Sequence, residues 1–219
     1  MTTIRRAWLV VIGLLLATAC YYLPWYTHDT AGFTTNAFDL AEWTSLHPAV
    51  RSSSPPMLTS FLLRFPQLML VAALALIANR LGDPRCRWVW RGIALLLVLR
   101  FFPPGDFFSN ATGDPNYRQM LLLTVLGVGG VFAAILLART PARWQDALLI
   151  VTLVCGVLAG WWGLSRANTL LDNFEIDVST GPGIAGLSLV VAVVVLIVLW
   201  PYRVRFLRAG TGHPVRQAP

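Results

Sequence analysis

Apolar runs of about the length of a helical membrane span, ~17–25 residues, alternate along this chain with short polar segments. Four runs carry no charge: residues 7–25, 120–138, 147–164 and 183–200. Two more are interrupted. Residues 57–79 hold Arg64 with Pro66 two positions on, and residues 88–104 hold Arg91 and Arg100 near their ends. The pattern predicts an all-α, polytopic membrane protein: six helices in one bundle over residues 1–219, followed by a basic tail at 201–219.

Charge placement supports the two doubtful spans. With both termini in the cytoplasm, the inner segments hold Arg5, Arg6, Arg80, Arg85, Arg87, Arg91, Arg139, Arg143, Arg203, Arg205, Arg208 and Arg216. Only Asp83 and Asp146 oppose them. The outer segments collect Asp29, Asp39, Glu42, Asp106, Asp114, Asp172, Glu175 and Asp177. Positive charge accumulates on the cytoplasmic side of membrane proteins. Deleting the short third span would invert everything after it and put the Arg-rich tail outside. The expected setting is a bacterial cytoplasmic membrane. Tryptophans and tyrosines at the run ends, Tyr21, Tyr22, Trp25 and Tyr26 among them, fit headgroup-level belts. Residues 17–20 resemble a signal cleavage site, but the aromatic cluster that follows reads as the end of a retained helix.

In the first outer segment Asn36 is placed to cap a short helix, with Asp39 three residues on at its positive end. Phe38, Leu40, Ala41, Trp43 and Leu46 give residues 37–46 an apolar side, and Pro48 ends the helix. This is expected to be an amphipathic helix in the outer headgroup layer. Residues 103–118 and 168–182 read as irregular turns. Small residues predict close packing: Gly129 and Gly130 in the fourth span, Gly156 and Gly160 in the fifth, with these two spans against each other.

Composition narrows function mainly by exclusion. The chain is 56% apolar and 12% charged, where a soluble domain carries about 25% charged residues. Its net charge of +7 is all arginine, without lysine, and these arginines are scattered among loops rather than gathered into a nucleic-acid-binding face. No Asp, Glu or His falls inside a predicted span, which disfavours a proton relay. His28, His47 and His213 do not have zinc-site spacing, and no haem or other cofactor is predicted. Cys20, Cys86 and Cys155 lie at different depths, too far apart for a disulfide. No phosphate loop, nucleophile elbow or metalloprotease motif is present.

Arg64 is the position that breaks the pattern. A guanidinium about 10 Å inside a span, counting 1.5 Å per residue, stays charged and needs a partner. It is expected to face the bundle and meet an outer carboxylate, a carbonyl or an anionic headgroup. Arg100 is the second candidate for an anion or lipid contact. The leading expectation is a non-catalytic accessory or assembly subunit. Its partners would be other integral-membrane subunits and anionic lipids, in a host of the respiratory or photosynthetic electron-transfer kind. The alternatives are a small permease using Arg64 as its anion contact, and a surface enzyme using Asp39, Glu42 or His47 as base.

Overall fold

The computed structural model describes residues 3–27, 34–173 and 178–210, with side chains through Tyr202. Asp29, Glu175, Asp177, His28, His213 and Arg216 lie outside the described residues. The chain is 81% helical.

Helix α1 (Thr3–Tyr22) leads into a small sheet, in which β1 (Pro24–Thr27) pairs antiparallel with both β2 (Thr35–Asn36) and β3 (Ser179–Thr180). Then follow α2 (Ala37–Leu46), α3 (Pro48–Arg51), α4 (Leu58–Ala78), α5 (Pro84–Val98), α6 (Pro115–Leu136), α7 (Ala142–Asp172) and α8 (Pro182–Gly210). Five helices are long and apolar enough to cross a membrane: α1, α4, α6 with its short 3-10 continuation, α7, and α8 as far as Tyr202. This is a multi-pass membrane protein.

Helix α4 is the axis of the bundle. Most of its residues are buried, whereas α1, α6, α7 and α8 each bury one stripe and expose the other. Pro66 does not break it. Helix α7 packs closely on that turn. A Cβ on Gly156 would come within 3.0 Å of Met69, one on Gly160 within 3.2 Å of Pro66, and one on Gly163 within 3.0 Å of the Leu63 backbone nitrogen. Glycine at three positions along one face lets the two backbones approach.

That packing corrects one expectation. The fourth and fifth spans, now α6 and α7, do not make their tight contacts with each other; both pack on α4. Gly130 faces Ala72 of α4, and Gly127 faces Val98 of α5 and Leu68 of α4. Gly129 is exposed, with nothing within 4 Å of the place a Cβ would occupy. It is not a packing residue.

Helix α5 is shorter than the expected span at 88–104. It has 15 residues and closes in a 3-10 turn, Leu99–Phe101. Its end, Val98, lies level with Leu68, halfway along α4. Pro103 and Pro104 keep the preceding residues out of the helical region, so the helix stops at mid-height. Helices α4 and α6 nevertheless run in the same direction. Arg64 meets Asn116 and Gln119 near one end, and Asn79 meets the Ala134 carbonyl near the other. Helix α5 and residues 99–114 therefore carry the chain back along the bundle.

Two further differences come from tertiary contacts that a hydropathy pattern does not encode. Helix α7 has 31 residues, about 46 Å at 1.5 Å per residue, and overruns the expected end at 164. Tyr21, Trp25 and Tyr26 are not belt residues but fully buried. The Tyr21 hydroxyl donates to the Leu63 carbonyl at 3.0 Å and that of Tyr26 to the Leu164 carbonyl at 2.7 Å. Burial pushes the Tyr26 phenol above its ordinary pKa and keeps it a donor. The Trp25 ring fills the space left by Gly160 and Gly183.

Candidate functional site

The residues between α2 and α6 that surround Arg64 form the most deeply buried charged site. Asn36 caps α2, its side-chain oxygen accepting from the Asp39 backbone N–H at 3.0 Å while its amide donates to the Asp39 carboxylate at 2.7 Å. The capped helix spans Ala37–Leu46, the predicted bounds. It packs against α4 and buries Phe38, Leu40, Ala41, Thr44 and Ser45. The same packing turns Glu42 toward α4.

Arg64 is 0% exposed, so its charge must be met inside the protein. One terminal nitrogen donates to Asn116 Oδ1 at 2.8 Å and to Gln119 Oε1 at 2.9 Å. The other donates to Glu42 Oε1 at 2.5 Å, forming an ion pair. Asn116 closes the ring by donating its amide to the second Glu42 oxygen at 3.4 Å. Gln119 donates in turn to the Met57 carbonyl at 2.9 Å. Met57 precedes α4 in the left-handed region, φ 61°, a conformation uncommon for a side-chain-bearing residue. The Gln119 bond and a bond from the Met57 N–H to the Val50 carbonyl hold it there. Nearby, Asp114 caps α6 through the Asn116 and Tyr117 N–H groups and pairs with Arg51 of α3.

A buried guanidinium costs several kcal/mol, roughly, and persists only where good geometry compensates. Here one carboxylate and two amide oxygens do so, and together they bind α2, α4 and α6. Both terminal nitrogens are met by this chain's own acceptors, whereas the buried Nε has no hydrogen-bond partner among the described residues. An anion-carrying role would require Glu42 to leave the guanidinium.

The other predicted site residues are dispersed. Arg100 is exposed beyond the end of α5, its guanidinium 4.3 Å from the Phe38 ring centroid, with no carboxylate within 4 Å among the described residues. Such stacking is worth ~0.5–1 kcal/mol at an exposed site. Asp39 is used by Asn36, Glu42 by Arg64, and His47 Nδ1 accepts from the Ala49 N–H at the start of α3. The three groups weighed as a surface base are thus separately engaged. No group of three or more His, Cys, Asp or Glu able to hold a metal ion occurs among the described residues.

A second polar cluster, at the opposite end, was not anticipated beyond its charges. Asp146 of α7 is buried and receives Arg80, in the turn just after α4, at 2.9 Å, the Tyr202 hydroxyl of α8 at 2.9 Å and Arg6 of α1 at 3.6 Å. Arg80 also donates to Gln145 Oε1 at 3.1 Å. Gln145 donates to the Leu137 and Thr140 carbonyls, joining the end of α6 to the start of α7. Close by, Arg91 of α5 donates to Asn79 at 2.8 Å.

Against known proteins, this chain matches no family, no curated protein and no solved structure.

Proposed function

We propose that this protein is a non-catalytic structural or assembly subunit of a larger integral-membrane complex. It crosses the membrane six times, with both termini in the cytoplasm. The observation that carries this reading is the use of the buried charges. Arg64 and Asp146, the ionisable groups at the centres of the two clusters, are each consumed in joining helices of the same chain. Neither is left facing an open cavity, as a transport or catalytic site would need.

Direction supports six crossings. Helices α4 and α6 run the same way, so α5 with residues 99–114 supplies the intervening passage despite the short helix. Arg6, Arg80 and Tyr202 meet at Asp146, which sets the beginning of α1 and the end of the α8 span at one end of the bundle. Arginine accumulates toward that end, which supports a cytoplasmic assignment. Helix α2, expected in the headgroup layer, packs against α4 at the Arg64 end.

Extraction of the native membrane in mild detergent, followed by affinity purification, tests the proposal. The expected result is one or more membrane partners at stoichiometric yield. Recovery of the chain alone would overturn it. Arg64-dependent anion uptake in reconstituted vesicles would replace it with the permease reading.

A further inference from the structure

Two open grooves lie one above the other along the seam between α4 and α7, and their linings differ in kind. The one nearer the Arg64 end measures about 240 Å³ and is bordered by Thr59, Arg166 and Thr169, with Val50 and Leu170. The next, about 280 Å³, is apolar and bordered by Phe61, Phe65, Leu158, Ala159 and Trp162. Going down α7, Thr169, Arg166, Trp162, Ala159 and Cys155 recur every three or four residues. That is the spacing of a single helix face, so both grooves open on the same flank.

Among the described residues no carboxylate pairs with Arg166. Its Nε donates to the Thr59 hydroxyl at 3.2 Å, and its terminal nitrogens have no hydrogen-bond or ion-pair partner among the described residues. It is half-buried, close to the polar end of an apolar channel whose lower walls, Leu158 and Trp162, are exposed on the bundle surface. A cation whose terminal nitrogens are open, above an apolar trough, matches an amphiphile with an anionic head; the Thr169 hydroxyl is already donated to the Ser165 carbonyl at 3.2 Å. Charge-assisted bonds from a guanidinium suit phosphate oxygens, and the trough takes an acyl chain.

We infer that the α4–α7 seam is a specific phospholipid site in the leaflet at the Arg64 end of the bundle. The lipid phosphate sits on the terminal nitrogens of Arg166 beside Thr59, and one acyl chain runs past Trp162 and Leu158 against the paired Phe61 and Phe65 rings. A bound lipid would cover the flank of the seam that the glycine contacts hold together. It would also supply Arg166 with the counter-charge that no described residue provides.

Native mass spectrometry of the purified full chain, with added phosphatidylglycerol or with diacylglycerol of the same acyl chains, tests the site. Wild type should retain one phosphatidylglycerol and no diacylglycerol. Arg166→Gln should weaken retention about tenfold, as expected for loss of one charge-assisted bond. Ala159→Phe, which fills the trough but leaves the cation, should also lower it. Arg118→Gln, an exposed arginine at the same end that binds the Thr112 carbonyl, should not. Undiminished retention by Arg166→Gln, or equal retention of diacylglycerol, overturns the site. If Arg166→Gln does not fold, Ala159→Phe decides, and wild-type retention by it is equally fatal.

Discussion

The two polar clusters solve the same problem with opposite charges. At one end a single cation, Arg64, is surrounded by one acid and two neutral amides; at the other a single acid, Asp146, is surrounded by two cations and a phenol. The first joins α2, α4 and α6, elements from the first two-thirds of the chain. The second joins α1, the turn that follows α4, α7 and α8, and so ties the beginning of the chain to its last helix. Helix α4, with the turn that follows it, takes part in both. Inside a membrane, apolar burial does not discriminate between one helix neighbour and another. Directional polar contacts do, and here they are concentrated at the two ends of the helix that touches most of the others.

The clusters should therefore fail differently. Glu42→Ala leaves Arg64 charged and enclosed, and should cost about 3–5 kcal/mol, the range for orphaning a buried charge. Denaturant titration in bicelles measures it, and a loss below about 1 kcal/mol would mean that the two amides suffice. Asp146→Ala leaves Arg80 and Arg6 facing each other, but both retain some solvent access. A loss of ~2–3 kcal/mol is expected there, measured in the same titration. It should shrink as salt rises and screens the arginines; the Glu42→Ala loss should shrink less, because Arg64 is fully buried even though Glu42 is 39% exposed.

Gly163→Leu tests the frame on which both clusters hang. Its side chain would meet the α4 backbone rather than a movable side chain, so overpacking should cost about 1–3 kcal/mol. Gly129→Leu, on the exposed face, should be within about 0.5 kcal/mol of wild type. Tyr202→Phe, which removes one hydrogen bond to Asp146, should cost ~1 kcal/mol in the same titration.

The contrast also marks what the sequence made legible. Apolar runs located the five long helices, because burial in lipid demands them. Asn36, Asp39 and Pro48 located α2 to the residue, because capping and proline chemistry are local. Arg64 stood out because a charge inside an apolar run has to be met. Its partners did not. Glu42 lies in another helix, Asn116 fell in a segment read as an irregular turn and Gln119 just before the expected span at 120, whereas α6 begins at Pro115. Their spacing of three, which puts both amides on one face of α6, was the available signal. Asp146 was counted as a loop acid because its neighbours Arg6, Arg80 and Tyr202 are far apart in sequence. The buried Trp25 was misread for the same reason: its place depends on glycines at 160 and 183, and no local pattern links them. Helix α5 was overextended because hydropathy continues through Phe101 and Phe102 where the backbone turns.

The central claim is that Arg64 is a structural clamp whose charge is answered by Glu42. A double-mutant cycle measures this coupling directly, comparing Glu42→Ala, Arg64→Met and the double variant for unfolding free energy in bicelles. The account predicts that the double variant loses at least about 2 kcal/mol less than the two single losses added together, since removing the cation also removes the penalty of orphaning it. Strict additivity would contradict it.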